Sequence, residues 1–187
     1  ADKFGSFVVQ LIVNDGIINS APATVTITTL NTPPVANAGP NQTVFTGTLV
    51  HLDGSGSSDV DGQALTYQWS LTSRPAGSAA VLTNPITVNP TFTVDLFGIY
   101  VVQLIVNDGI ANSAPVTVTV STQNSAPVAN AGPNQTVTAG ATVQLNGSGS
   151  SDVDGNPLTY AWAFTSRPAG SAAALSATNI VNPTFVA

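Results

Sequence analysis

The sequence has no cysteine, no methionine and no glutamate, a single histidine, and three basic residues, Lys3, Arg74 and Arg167. Each absence removes a class of function. Without cysteine there is no disulfide framework, no thiol nucleophile and no zinc–thiolate site. Three cations against nine aspartates leave a formal charge of −6, so the clustered Lys and Arg that hold nucleic acid or an anionic membrane surface are missing. No run of about 18 apolar residues occurs, so no membrane insertion is expected. No signal peptide is recognisable either, although a mature or excised segment would have lost one. The lack of cysteine does not fix the compartment. A chain poor in Lys and rich in Thr, Asn and Gly offers trypsin-like proteases few cleavage sites, which favours an extracellular or cell-surface location.

What is present is a repeat with a period of 93 residues. Apolar residues make up 43% of the 187 positions, enough for a core, and Thr, Ser, Asn and Gln supply the polarity. FVVQLIVNDG at 7–16 returns as YVVQLIVNDG at 100–109, PVANAGPNQTV at 34–44 returns at 127–137, and GSGSSDVDG at 54–62 returns at 147–155. TSRPAGSAA at 72–80 and NPTF at 89–92 return at 165–173 and 182–185 without insertion or deletion. Such self-similarity marks duplication within an array. The expected organisation is the last third of one repeat over 1–30, a complete repeat over 31–123, and the first two-thirds of another over 124–187. Ala1 and Ala187 share one phase, so the expectation is a chain cut in mid-repeat.

The complete repeat reads as seven short strands: A near 41–44, B near 49–53, C over 65–72, a weak D near 79–82, E over 89–94, F over 99–107 and G over 115–121. Tyr100, Val102, Leu104 and Val106 alternate onto one face, the period-2 signature of a half-buried strand, and Asn107-Asp108-Gly109 is a turn signal. Helical spacing is absent, and Gly and Pro punctuate at short intervals, so the fold class is all-β, a sandwich or barrel. Two details favour tandem immunoglobulin-like sandwiches. Trp69 lies on strand C on the face of Leu65, Tyr67 and Leu71, and Asp95–Tyr100 has the form of a tyrosine corner two residues before Val102. Phe7 replaces the tyrosine in the first copy.

With those residues read, the repeat resembles the PKD (polycystic kidney disease) module, particularly its bacterial tandem form, over the whole chain. PVANAGPNQTV, GSGSSDVDG, the Tyr-x-Trp of LTYQW and LTYAW, and VVQLIVNDG carry the resemblance. The chain departs from the usual short turn after the tryptophan, having WSLTSRPAGSAA, which is similar to a subgroup found in large bacterial surface proteins. The resemblance implies an extracellular spacer or adhesion module without naming a ligand, and it implies that calcium is bound near DVDG in some members.

The residues themselves give one candidate ion site. Asp59 and Asp61 lie between strands B and C, and Asp108 lies between F and G. In an immunoglobulin-like sandwich those loops share one end with the incoming segment at Asn37, so hard oxygen ligands suited to Ca²⁺ would converge there. The partial copies hold incomplete sets, Asp152 and Asp154 in one and Asp15 in the other. The alternative is that Asp-Gly and Ser-Asp are ordinary turn formers. Arg74 and Arg167 recur in TSRPAGSAA, either as partner contacts on a proline-stiffened loop or as guanidinium groups bonding loop carbonyls. His51 is Gln144 in the other copy, so no Ser–His–Asp arrangement recurs per repeat, and an enzyme is not expected. Asn41, Asn134 and Asn146 head glycosylation sequons, and Thr-rich faces could carry O-glycans.

These observations point to a non-enzymatic structural repeat of an extracellular bacterial filament, stalk or surface adhesin. Its expected partners are adjacent repeats or copies of itself, completing split sandwiches head to tail. The alternative is a carbohydrate-binding or adhesive accessory module of a larger secreted protein.

Overall fold

The alternation over Ile99–Asn107 becomes the central strand of the protein. In the computed structural model, which describes residues 3–187, Tyr100, Val102, Leu104 and Val106 are fully buried while the residues between them reach the surface. Ten strands are found among the described residues, and no helix. They are β1 (Ser6–Leu11), β2 (Ala23–Thr28), β3 (Gln42–Val44), β4 (Leu49–His51) and β5 (Thr66–Ser73). Then follow β6 (Thr91–Thr93), β7 (Ile99–Asn107), β8 (Val116–Thr122), β9 (Thr142–Gln144) and β10 (Thr184–Val186). The chain divides into two compact units, residues 1–121 and 122–187.

In the first unit, β3-β8-β7-β5 form a four-stranded sheet and β4-β6 a two-stranded one. This is the A-G-F-C and B-E arrangement of an immunoglobulin-like sandwich. Val50, Leu52, Phe92 and Val94 from the small sheet meet Trp69, Tyr100, Val102, Leu104, Val118 and Val120 from the large one in a single buried cluster. Burying each such side chain contributes about 1.5–3 kcal/mol, which is why the alternation fixes the register: a one-residue slip would turn the apolar set outward. Trp69 stands opposite Leu104 in the β5–β7 ladder, and its indole N–H donates to the Thr87 carbonyl at 3.1 Å.

The corner before β7 is built as the sequence suggests. The Tyr100 hydroxyl lies 2.8 Å from Asp95 Oδ1, accepts the Leu96 N–H at 2.9 Å, and sits 2.9 Å from the Leu96 carbonyl. Asp95 also accepts from the Ser78 hydroxyl at 2.6 Å and the Ala79 N–H at 2.5 Å. Gly98 has φ of 145°, and a Cβ there would stand 2.7 Å from Pro75 Cγ, so glycine is required on two counts.

The weak strand D does not form. The Ala79 N–H is taken by Asp95 and the Ala80 carbonyl by Arg74, so the segment's backbone groups are spent on loop contacts. Only an isolated bridge, Thr83 to Thr91, remains nearby. β1 and β2 pair antiparallel, Val9 opposite Val25 and Phe7 opposite Ile27, with every residue of both strands exposed.

In the second unit β9 and β10 pair antiparallel, repeating the β4–β6 pair. Residues 135–137 and 159–166, which repeat β3 and β5, are not strands. Their ladder partners in the complete repeat are β8 and β7, and no counterpart of these lies within 122–187. A sequence that is a strand in one copy is an unpaired segment in the other.

Candidate functional site

The acidic loops are organised by the linker that enters the complete sandwich. Asn31 donates from Nδ2 to Asp108 Oδ2 at 2.9 Å, and the Thr32 N–H donates to Asp61 Oδ2 at 2.7 Å. Two consecutive linker residues therefore clamp the loop after β7 and the loop before β5. The loops are preorganised by their own carboxylates. Asp108 Oδ1 accepts the N–H groups of Ile110 and Ala111, both at 2.7 Å. Asp59 Oδ1 accepts those of Asp61 and Gln63 at 2.8 and 3.3 Å. The Ala111 N–H chiefly, with Asn31 and the Ile110 N–H, outweighs burial and holds the Asp108 carboxyl below its ordinary range, so Asp108 is an anion at neutral pH.

This site leaves three buried oxygen atoms without a hydrogen-bond donor: Asn31 Oδ1, Asp59 Oδ2 and Gln63 Oε1. Each belongs to a segment the clamp ties together. A buried acceptor without a donor costs about 1–3 kcal/mol, and an all-oxygen set asks for a cation or for water. The donor set suits a hard cation. The carboxylates themselves are not clustered: among the described residues no three Asp, Glu, His or Cys side chains stand close enough to hold a metal. Any ion here would rest on amide oxygens as much as on carboxylates.

The other expected residues fall as follows. Asn37 Oδ1 accepts the Gly39 N–H at 2.9 Å, and its amide packs over Gly56, where a Cβ would stand 2.8 Å from Nδ2; the linker amide that reaches an acidic loop is Asn31. Its role leaves a trace in the sequence only as the repeated Asn124. In that copy the Ser125 N–H reaches Asp154 Oδ2 at 2.5 Å and Asn156 Nδ2 donates to Asn124 Oδ1 at 2.7 Å, while Asp152 Oδ1 accepts the Asp154 N–H at 2.9 Å. Asp15 caps its own loop, accepting from Ile17 and Ile18 at 2.9 Å, and those N–H groups hold its carboxyl low. Arg74 donates to the Ala80 carbonyl and Arg167 to that of Ala173 at 2.7 Å, which pins the loop in both copies. His51 is exposed on β4.

Family models match segments of both units. Residues 38–120 match the family described as K319L-like, PKD domain, and residues 124–174 match the PKD domain family. The chain belongs to the PKD family. It is similar to the dyslexia-associated protein KIAA0319-like protein of Mus musculus, 33% identical over 171 residues, covering 88% of this chain and 16% of that protein. It is 34% identical over 169 residues to the dyslexia-associated protein KIAA0319 of Homo sapiens, covering 87% of this chain and 16% of that protein. The chain thus spans about a sixth of the curated relatives it matches. Among solved structures, the PKD domain from KIAA 1837 protein covers 58% of this chain and 99% of its own, at 29% identity and a TM-score of 0.40. PKD domains are extracellular modules of adhesion type, non-catalytic and structural as a rule. No described helix is long and apolar enough to cross a membrane.

Proposed function

We propose that this protein is a non-enzymatic spacer of an extracellular stalk, filament or adhesin, in which PKD sandwiches are joined in series and Ca²⁺ stiffens the joint. The clamp supports this most directly. A linker held at consecutive residues to two loops cannot pivot freely, and such a joint transmits force and sets spacing. The three donorless oxygens, with Asp61 and Asp108 close in the bonding network, are the place where Ca²⁺ would bind, taking Asn31 Oδ1, Asp59 Oδ2 and Gln63 Oε1 as ligands. The serial reading extends to sandwiches completed between copies. The accessory-module alternative needs an aromatic platform. Trp69 is buried, and Trp162 and Tyr160 are half-open only where the covering hairpin has no counterpart in the second unit.

The test is thermal unfolding of the 187-residue chain with Ca²⁺, with Mg²⁺, and with chelator. At a calcium concentration about 100 times the dissociation constant the folded state gains about 2.7 kcal/mol, a rise in melting temperature that Asp59→Asn should abolish. If Ca²⁺ leaves the melting temperature where chelator does, the oxygens are met by water or by a turned Gln63 amide, and the calcium joint is wrong.

A further inference from the structure

We propose that the outer edge of β5 between Trp69 and Arg74 is a binding groove for an extended peptide segment carrying an acidic side chain, with Arg74 taking the carboxylate. The groove lies at the far end of β5 from the acidic loop before it, so it stands apart from the calcium joint and gives the spacer a partner of its own.

β5 is an end strand, since the sheet runs β3-β8-β7-β5. In an antiparallel ladder the N–H and C=O of one residue point to the same side, and those of the next residue to the other. The Trp69 N–H leaves the ladder for the Pro85 carbonyl at 2.8 Å, so Trp69 and, two residues on, Leu71 turn their backbone groups away from β7. The Trp69 carbonyl and both groups of Leu71 therefore face the groove, and a row of this kind is a template for another strand. The ladder shifts register between Leu71 and Ser73, so the template is short and side chains must supply the rest of the affinity.

The groove has a volume of about 620 Å³ and is lined by apolar Leu71, Val81, Leu82 and Pro85 and by Ser73 and Arg74. That volume is in the range of ligand clefts, about 300–1,000 Å³. Val81 is 68% exposed, an apolar wall available to a partner's side chain. The backbone across from β5 is not free to close the groove, because Asp95 holds the Ala79 N–H and Arg74 holds the Ala80 carbonyl.

An acidic segment is the occupant because of charge. Arg74 is the one Lys or Arg of residues 31–121, a stretch that holds five aspartates. Its Nη1 donates to the Ala80 carbonyl, and no carboxylate among the described residues pairs with it. Nε and Nη2 form the forked donor pair that fits a carboxylate. The other formal charges of this stretch are all negative, so an acidic segment is steered to this one place. The anchor recurs 93 residues on, where Arg167 donates to the Ala173 carbonyl at 2.7 Å.

The probe is the blocked peptide acetyl-TVTVDVT-amide, compared with acetyl-TVTVNVT-amide, titrated into the 187-residue chain. Amide chemical shifts should move at Leu71, Val81 and Leu82 and not along β3, the other end strand. The Asn peptide and Arg74→Gln should each weaken binding about 10-fold or more, since each removes the charge-assisted pair, and together they should cost no more than either alone. Arg74→Gln also releases the Ala80 carbonyl, so Val81→Glu serves as a second variant. Val81 is exposed, so the melting temperature should stay at the wild-type value while binding of the Asp peptide is lost. No shift at Leu71 at millimolar peptide, shifts centred on β3, equal binding of the two peptides, or Asp-peptide binding unaffected by Val81→Glu would each overturn the inference. The calcium-linked rise in melting temperature is untouched by any of these outcomes and decides the spacer reading separately.

Discussion

Replacing Tyr100 by phenylalanine removes one hydroxyl from a fully buried ring and is the sharpest test of how the corner holds the core. That hydroxyl serves Asp95, the Leu96 N–H and the Leu96 carbonyl. A hydrogen bond to a charged group contributes about 1.5–3 kcal/mol. Asp95 is only half-buried, so the lower end applies, about 2 kcal/mol once the Leu96 N–H is left to water. For a domain of this size that is roughly 10 °C in melting temperature. The acid side gives a second reading. Ser78 first, then Tyr100 and the Ala79 N–H, outweigh burial and hold the Asp95 carboxyl down to about 2 from 3.8. A depressed folded-state value stabilises the protein above pH 3.8, and that contribution is lost as pH falls from there to about 2. Tyr100→Phe should flatten the fall between those limits, and Ser78→Ala should flatten it more. Urea unfolding at a series of pH values, followed by Trp69 fluorescence in a Trp162→Phe background, measures both. A loss below about 0.5 kcal/mol, or an acid limb unchanged in both variants, would refute the reasoning.

Gly98→Ala should cost about 1–3 kcal/mol, since both its positive φ and the approach of Pro75 oppose a Cβ. Gly109→Ala, with φ of 93° and nothing within 4 Å, should cost only the backbone strain, about 1 kcal/mol; the two urea midpoints separate clash from strain. Asp108→Ala should speed amide hydrogen exchange at Ile110 and Ala111 and also free the linker at Asn31. Asp15→Ala removes the same kind of loop cap at Ile17 and Ile18 and serves as the control without a clamp. Equal exchange at Asn31 and Thr32 in the wild type and Asp108→Ala would show that the linker is not held by this carboxylate.

The readable parts of the fold and the unread ones differ by how local their causes are. β7 was legible to the residue because its alternation, its aromatic start and its Asn-Asp-Gly end all lie within eleven positions. The tyrosine corner was legible for the same reason, since Asp95 and Tyr100 are five residues apart. The clamp was not. Asn31 meets Asp108 across 77 residues, and nothing around an Asn before Thr-Pro-Pro marks it as a loop ligand. Asn37 was the expected amide because an immunoglobulin-like sandwich brings its incoming segment, read at Asn37, beside the two acidic loops, yet its oxygen is used by the Gly39 turn. Strand D failed because Asp95, 16 residues from Ala79, and Arg74 within the same loop took the backbone groups that a ladder needs.

The two copies of strand C carry this furthest. LTYQW and LTYAW differ at one position in five, and both tryptophan N–H groups make the same outer-edge bond. Only the first is a strand. Composition and alternation set which face of that segment is apolar, and the edge bond sets where it lies. What decides whether it is a strand is the partner on the other side, which no window of its own sequence contains. A hairpin that supplied the partner should therefore change residues 159–166 from unpaired to ladder-bonded without moving the outer-edge bond. Amide exchange would show new protection along that segment, with Trp162 protected both before and after.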